Sequence, residues 1–195
     1  MRPSLVLLAG PNGAGKSTLY ETRVAPAFAG LFINADIIQR DELQDLSMEA
    51  SYQAARIAEA RREELLEAGR NFATETVFSH PSKLEVIDAA RAQGYLVVVM
   101  HVGVDSPDLS VERVRFRTRE GGHDVPEEKI RTRYERGLPL IREAVLRADR
   151  GMVFDNSRLN TAPRQLLVFA RGRLIKAAPI LPEWVLTGYA ADLLY

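Results

Sequence analysis

The feature that most constrains this chain is a glycine-rich segment that follows a short apolar run near the N-terminus. Residues 10–18 read Gly-Pro-Asn-Gly-Ala-Gly-Lys-Ser-Thr, which matches the G-x-x-x-x-G-K-[ST] pattern of a P-loop. The run 4–9 is typical of a buried strand, and a helix is expected to begin at Gly15. Backbone N–H groups at such a junction can surround a phosphate. The alternative, a glycine-rich turn without a ligand, is disfavoured by this strand and helix context.

The P-loop pattern assigns a role to several of its residues. Lys16 is expected to reach the β- and γ-phosphates of a nucleoside triphosphate, Ser17 to bind Mg²⁺, and Thr18 to contact the α-phosphate. The cofactors that this predicts are ATP or GTP with Mg²⁺. The predicted nucleotide-binding residues are Gly10, Pro11, Asn12, Gly13, Ala14, Gly15, Lys16, Ser17 and Thr18.

Length and composition exclude several classes of protein. A chain of 195 residues is suited to one domain. Its 26 basic and 26 acidic residues cancel, so we expect no membrane partner and consider nucleic acid an improbable one. The absence of cysteine excludes disulfides and thiolate metal sites. The apolar run 4–9 is shorter than a secretory signal requires, and no stretch is long enough to span a membrane. A cytoplasmic location is therefore expected.

Strand and helix patterns alternate along the chain, which indicates a parallel sheet with right-handed crossovers. We predict a single P-loop domain over residues 1–195, an α/β fold of the P-loop NTPase type with about five parallel strands flanked by helices. A lid is expected at about residues 105–136, and a hairpin plus a helix at about 165–195. The predicted strands are 4–9, 31–34, 72–78, 95–104 and 151–155.

Local signals define some boundaries within this pattern. Ser47 is a predicted N-cap for a long helix that Gly69 ends. The helical pattern 126–147 is expected to be interrupted near Gly137 and Pro139. Residues 182–194 are predicted to form a closing helix.

Asp36 follows the second predicted strand, at the sheet edge where ligands bind in parallel α/β folds. A carboxylate there can accept the proton of an acceptor hydroxyl and orient it toward the γ-phosphate, and it can hold Mg²⁺ through a water. The alternative is that Asp36 caps the helix beginning at Ile37. No Asn-Lys-x-Asp motif occurs, which argues against a small GTPase. Asp105, after the most apolar strand, is interpreted as a helix N-cap rather than a metal ligand.

Four arginines fall within seven residues after the fourth predicted strand. Arg113 and Arg117 share one face of a helix, and Arg115 and Arg119 share another. Kinases need cationic groups near the transferred phosphoryl group, so Arg113, Arg117 and Arg119 are candidate catalytic residues of the lid. The alternative for this cluster is a solvated helix face with ion pairs.

Several segments together resemble the zeta-toxin family. They are the P-loop with Ala9 before it, the Asn-Ala-Asp of residues 34–36, and the Glu-Thr-Val-Phe-Ser of residues 75–79. The Gly-Gly-His-Asp-Val-Pro-Glu of residues 121–127 and the Arg-Tyr-Glu-Arg of residues 133–136 follow in the family's order. These matches span about residues 4–140.

The resemblance implies an ATP- or GTP-dependent, Mg²⁺-using kinase that phosphorylates a hydroxyl of a small molecule. The family's best-known acceptor is the 3′-hydroxyl of the amino sugar in UDP-N-acetylglucosamine, and a protein antitoxin is an implied partner. Asp36 matches the family's catalytic base, and Asn34, Glu75 and Thr76 match its substrate side. Other acceptors (an antibiotic, nucleoside or dinucleotide) and a nucleotide-dependent regulatory ATPase remain open.

The lid departs from the pattern of larger zeta toxins. His123 stands where they place a second arginine ahead of a Thr-Pro. The resemblance therefore leaves open whether Arg119, or an arginine among residues 131–136, takes its place.

Overall fold

The computed structural model of the protein describes residues 2–119 and 125–194. Strands and helices alternate through most of the chain, as the sequence predicts. The strands are β1 (Ser4–Ala9), β2 (Leu31–Ile33), β3 (Phe72–Thr76), β4 (Leu96–Gly103), β5 (Arg150–Asp155), β6 (Arg164–Ala170) and β7 (Arg173–Ala177). The α-helices are α1 (Lys16–Leu19), α2 (Ala35–Ile37), α3 (Met48–Glu67), α4 (Lys83–Ala92), α5 (Pro107–Arg119), α6 (Glu127–Arg147) and α7 (Glu183–Gly188). Wider π-helical turns extend α1 through Tyr20–Val24 and α2 through Ile38–Leu43, and a 3₁₀ turn spans Ala190–Asp192.

All seven described strands belong to one sheet, in the order β2-β3-β1-β4-β5-β6-β7. The first five are parallel, and β6 and β7 extend the sheet antiparallel from β5. The predicted hairpin exists, but it is part of the main sheet, which therefore has seven strands rather than five. Arg171 and Gly172 form its turn with positive φ angles of 48° and 76°, as a two-residue hairpin turn requires.

Two predictions about helices were wrong. α6 is continuous through Gly137 and Pro139, because its buried face packs against the sheet and offsets the cost of the proline. The C-terminal helix ends at Gly188 instead of reaching residue 194. Tyr189, which follows it, is fully buried, so the chain turns inward at that point.

Helices cover both faces of the sheet, which gives two buried layers. One layer joins α3, α4 and α6 to side chains such as Leu5, Leu7 and Val99. The other layer joins α1 to the opposite face of the sheet through residues such as Val6, Leu19 and Val102. No helix formed by residues 2–119 and 125–194 has the length and apolar character that a membrane span requires.

The carboxyl ends of the parallel strands meet at one edge, where the P-loop follows β1. Close packing requires glycine at two of its positions. A Cβ at Gly10 would overlap the carbonyl oxygen of Val102 on β4. Gly13 has a φ of 73°, and a Cβ there would lie 2.8 Å from the carbonyl oxygen of Ser110 on α5. The loop is thus held against both β4 and helix α5.

Candidate active site

The P-loop surrounds the ammonium group of Lys16. Lys16 Nζ donates to the carbonyl oxygens of Gly10 and Pro11, each at 3.1 Å. Burial lowers the pKa of Lys16, and the carboxylates of Glu75 and Asp36 oppose that shift. A buried cation with two nearby carboxylates but no direct ion pair to them is well placed to receive phosphate.

Ser17 and Glu75 meet at the start of α1. Ser17 Oγ donates to Glu75 Oε2 at 2.8 Å, which brings the end of β3 against the P-loop. The next residue, Thr76, accepts the backbone N–H of Gly10 through its carbonyl oxygen at 3.3 Å. Two residues predicted to bind substrate therefore adjoin the predicted nucleotide site.

Asn34 and Asp36 have separate functions in the structure. The buried Asn34 side chain caps α2 by accepting the N–H groups of Asp36 at 2.8 Å and Ile37 at 3.3 Å. Asp36 lies inside the first turn, so the alternative that it caps this helix is wrong. Its carboxylate is half-exposed and lies 3.6 Å from Arg117 of α5. Capping by Asn34 leaves the Asp36 carboxylate available to the cleft.

The structure divides the predicted lid arginines into three groups. Arg113 packs against the P-loop, with its guanidinium 3.4 Å from the carbonyl oxygens of Gly13 and Ser157. Arg117 pairs with Asp36 and lines the cleft. Arg119 is exposed and does not appear among the described side chains that line the cleft.

Arg133 on α6 is a site residue that the prediction did not single out. Its guanidinium lies 3.4 Å from Asn12 Oδ1 of the P-loop. Its positive charge lowers the pKa of Lys16, whereas the carboxylates of Glu75 and Asp36 raise it. The sequence only placed it within a group of alternatives, residues 131–136. In that group Arg131 is engaged elsewhere, by Asp108 and Glu127.

The segment after β5 braces the P-loop from the other side. Asn156 Nδ2 donates to the carbonyl oxygen of Ala14 at 2.8 Å, and Ser157 Oγ accepts the N–H of Asp105 at 2.9 Å. The hydroxyl of Ser106, not Asp105, accepts an N–H in the first turn of α5, from Leu109. The interpretation of Asp105 as the N-cap was therefore off by one residue. No pattern in the sequence indicated the role of Asn156.

Aromatic residues of the C-terminal segment support the sheet beneath the site. Trp184 Nε1 donates to Asp155 Oδ1 at 3.2 Å, and the Tyr189 hydroxyl lies 2.8 Å from His101 Nδ1. Burial lowers the pKa of His101 to about 3, so its imidazole is neutral and can accept from Tyr189. His101 is thus a core residue of β4.

A cleft of about 830 Å³ opens between the P-loop, α3, the end of β3 and the N-terminal part of α6. A cavity of this size accommodates a small-molecule ligand. The predicted residues that line it are Asn12, Gly13, Lys16, Asn34, Asp36, Glu75, Thr76 and Arg117. Of the segments that the sequence singled out, residues 121–124 with His123 lie outside the described part of the chain.

Comparison with known sequences gives a family match and one relative. The family model described as "Zeta toxin" matches residues 1–161. An uncharacterized protein of Haemophilus influenzae is 24% identical over 149 residues, which cover 69% of this chain and 94% of that protein.

Solved structures with similar folds come from a toxin-antitoxin system, from the AvrRxo1-ORF1:ORF2 complex and from a kinase. A structure from the PezAT chromosomal toxin-antitoxin system of Streptococcus pneumoniae superposes with a TM-score of 0.56 at 15% identity, covering 80% of this chain and 69% of that one. A chain of the AvrRxo1-ORF1:ORF2 complex with ATP gives 0.66 at 15%, covering 89% and 60%. Shikimate kinase from Acinetobacter baumannii, in complex with shikimate, gives 0.52 at 19%, covering 82% and 86%. The shared property is the fold.

Proposed function

The chain belongs to the zeta toxin family, and from that premise we propose that it transfers the γ-phosphate of ATP to a hydroxyl of a small molecule bound in the cleft. As a family member with a P-loop kinase fold, it is an ATP-dependent phosphotransferase that acts on hydroxyl groups. The observation that carries the proposal is the position of Asp36. Asn34 caps the helix, so the Asp36 carboxylate is not used as a cap, and it lines the same cleft as Lys16.

Asp36 would receive the acceptor. Its carboxylate can accept a hydrogen bond from the acceptor hydroxyl, orient the oxygen toward the γ-phosphorus, and take the proton as the new P–O bond forms. The loose transition state of phosphoryl transfer demands orientation more than strong basicity. The Arg117 guanidinium lies 3.6 Å away and holds the carboxylate toward the cleft.

Cationic groups would stabilise the triphosphate from three sides. Lys16 lies within the P-loop, Arg117 on α5 and Arg133 on α6, so one moving phosphoryl group can be contacted from separate elements. Such preorganised charges act on the transition state without reorganising during the reaction. Arg113 would act indirectly, by holding the backbone of Gly13 and Ser157 in place. Arg119 does not line the cleft, so no catalytic role is proposed for it.

Mg²⁺ fits the residues present. No group of three or more His, Asp or Glu side chains within residues 2–119 and 125–194 is placed to hold a metal alone, and Mg²⁺ commonly takes few protein ligands beside phosphates and waters. Ser17 Oγ with Glu75 Oε2 beside it supplies hard oxygen atoms next to the P-loop. When bound there, the ion would neutralise charge on the phosphates.

The acceptor proposed first is UDP-N-acetylglucosamine, on family grounds. Another hydroxyl compound, such as a nucleoside, dinucleotide or antibiotic, would use the same Asp36 and Lys16. A protein antitoxin is proposed as a partner because a structural neighbour comes from a toxin-antitoxin system. Incubation with γ-labelled ATP or GTP and a panel of these acceptors, followed by location of the label, would identify the acceptor and the preferred nucleotide.

Replacing Asp36 with Asn tests the proposed chemistry. The variant keeps size and hydrogen bonding but removes the proton-accepting charge, so single-turnover transfer should fall about 100- to 10,000-fold. Affinity for a non-hydrolysable ATP analogue and the melting temperature should stay unchanged, because Asn34 caps the helix. Asp41→Asn, which alters an exposed partner of Arg40 away from the cleft, is the matched control. Normal turnover of Asp36→Asn at saturating Mg²⁺ would remove Asp36 from the reaction, and ATP hydrolysis indifferent to every acceptor would favour a regulatory ATPase.

A further inference from the structure

The cleft continues well past the P-loop along helix α3. Met48, Tyr52, Ala55, Glu59 and Arg62 all line it, and their spacing of three and four residues places them on one helix face. From Met48 to Arg62 the helix rises about 21 Å. Helix α4 contributes Lys83 and Val86 to the same cleft. This wall is longer than one reacting hydroxyl group requires.

The cleft is positively charged although the chain is neutral. Among the described residues that line it, seven are cationic and four are acidic, an excess of three positive charges, whereas the whole chain has a formal net charge of +0. Lys16, Arg117 and Arg133 adjoin the P-loop and match a triphosphate. The remaining cations lie on α3, α4 and α6, where a nucleotide at the P-loop does not account for them.

Arg62 differs from its neighbour Arg61 in a way that indicates a ligand. Arg61 forms a two-bond pair with Glu42 at 2.5 and 2.6 Å. Arg62 is half-buried, and the described part of the chain gives its guanidinium no hydrogen bond or ion pair. Burial lowers the pKa of Arg62, against the opposing charges of Glu59 and Glu63. A partly desolvated cation without a contacting anion recovers its lost solvation when an anion binds.

Lys83 on helix α4 is a second half-buried cation of the cleft. It lies at the start of the helix, and it forms no ion pair with any of residues 2–119 and 125–194 in the structure. Arginine contacts phosphate and carboxylate with two parallel hydrogen bonds, and lysine adds a point charge.

We propose that the stretch of cleft lined by Arg62 and Lys83, here the α3–α4 subsite, binds an anionic group of the acceptor, a phosphate or a carboxylate. The proposal rests on the proposed kinase function, with the acceptor's hydroxyl at Asp36 and its anionic group farther along α3. An elongated anionic acceptor satisfies both ends of the cleft. A neutral acceptor leaves Arg62 without a partner, and a cationic one is repelled.

Binding of small anions tests the subsite without requiring turnover. The P-loop is first saturated with Mg²⁺ and a non-hydrolysable ATP analogue, and pyrophosphate, malonate, UDP-N-acetylglucosamine and N-acetylglucosamine are then titrated by calorimetry. Arg62→Gln should weaken binding of the anionic probes about 10- to 100-fold, the scale of a lost charged hydrogen bond. Arg62→Lys should recover part of it. Arg61→Gln, one residue along the helix and outside the cleft, should leave it unchanged.

The probes separate the sources of the anionic group and the two proposals. Arg62-dependent binding of pyrophosphate but not malonate indicates phosphate, and the reverse indicates carboxylate. With an anionic acceptor, Arg62→Gln should raise KM and leave kcat nearly unchanged, as expected for a group remote from the reaction. If no probe binds in an Arg62-dependent way, the subsite is overturned even where transfer is normal. If such binding occurs but no acceptor is phosphorylated, the kinase proposal fails and the anion subsite stands.

Discussion

Single residues at this site divide into those that hold the backbone and those that face the cleft. Asn34, Arg113 and Asn156 bond to backbone groups of α2 or the P-loop. Lys16 and Asp36 face the cleft. The sequence alone does not predict this division, because the residue type of an asparagine or arginine does not indicate whether its side chain binds backbone groups or a ligand.

The cleft arginines should be catalytic, and their neighbour should not be. Arg117→Ala and Arg133→Ala should each reduce kcat strongly, for Arg117 by roughly 1,000-fold, the scale of an arginine acting on the phosphoryl transition state. Arg115→Ala is the control, since Arg115 pairs with Glu127 at 2.6 Å outside the cleft. Steady-state kinetics at saturating ATP and acceptor measure these effects. Equal turnover of all three variants would show that the cluster is only a solvated face.

The buried His101 should make stability depend on pH. Its pKa is about 3 in the fold and about 6.5 when unfolded. Below pH 6.5 the unfolded chain gains a proton that the folded one does not, so stability is lost as the pH falls from about 6.5 toward 3. Between pH 7 and pH 5 the loss should be about 2 kcal/mol.

Urea unfolding at the two pH values measures this loss directly. Glutamine does not titrate, so the variant His101→Gln should not show the loss of about 2 kcal/mol in unfolding free energy that His101 causes. If the wild type and the variant lose the same free energy of unfolding, His101 is not responsible for the pH dependence.

At the scale of the secondary-structure elements, the cap of α2 positions the Asp36 carboxylate that we propose as the catalytic base. Asn34→Ala removes an acceptor for two N–H groups and should cost about 1 kcal/mol of stability, together with a fall in kcat as Asp36 shifts. Asn34→Asp, which caps about as well, should restore stability. A thermal melt and a turnover assay on both variants check this. If Asn34→Ala keeps its stability and loses only acceptor affinity, Asn34 binds substrate, as the sequence prediction had it.

Most elements could be predicted because each has a local signal. Ser47 caps α3 by accepting the N–H of Ala50, and Gly69 has the positive φ of a helix end. The failures occurred where tertiary packing opposes local preference. α6 continues through Pro139 because residues such as Ile141 and Val145 are buried against the sheet. α7 ends early because Tyr189 is drawn to His101.

The site was less predictable than the fold, for a geometric reason. The P-loop is contiguous in sequence, so its pattern is visible. The cleft combines residues from β1 to α6, and Arg133 reaches Asn12 across 121 positions of the chain. No spacing rule predicts that contact. It depends on how α6 packs over β4 and β5.

In the molecule as a whole, the C-terminal segment packs beneath the site. A Cβ at Gly103, the last residue of β4, would overlap the indole ring of Trp184. Gly103→Ala should therefore destabilise the protein by about 1–3 kcal/mol through overpacking, measured by urea unfolding. Combining it with Trp184→Leu, which removes the obstructing ring, should cost less than the sum of the single changes. Strictly additive costs would show that the two residues do not interact.

The packing of Trp184 and Tyr189 under β4 also has a consequence for the time at which activity appears during synthesis. The last residue of the proposed catalytic cleft, Arg133, is translated about 56 residues before Tyr189. At ribosomal rates this interval is roughly 3 to 11 seconds. Until then His101 and Asp155 lack their aromatic partners, and the strands beneath the P-loop are incompletely covered. A nascent chain should thus carry every proposed catalytic residue for several seconds before it can phosphorylate anything, which delays the onset of activity until the chain has been made through Tyr189.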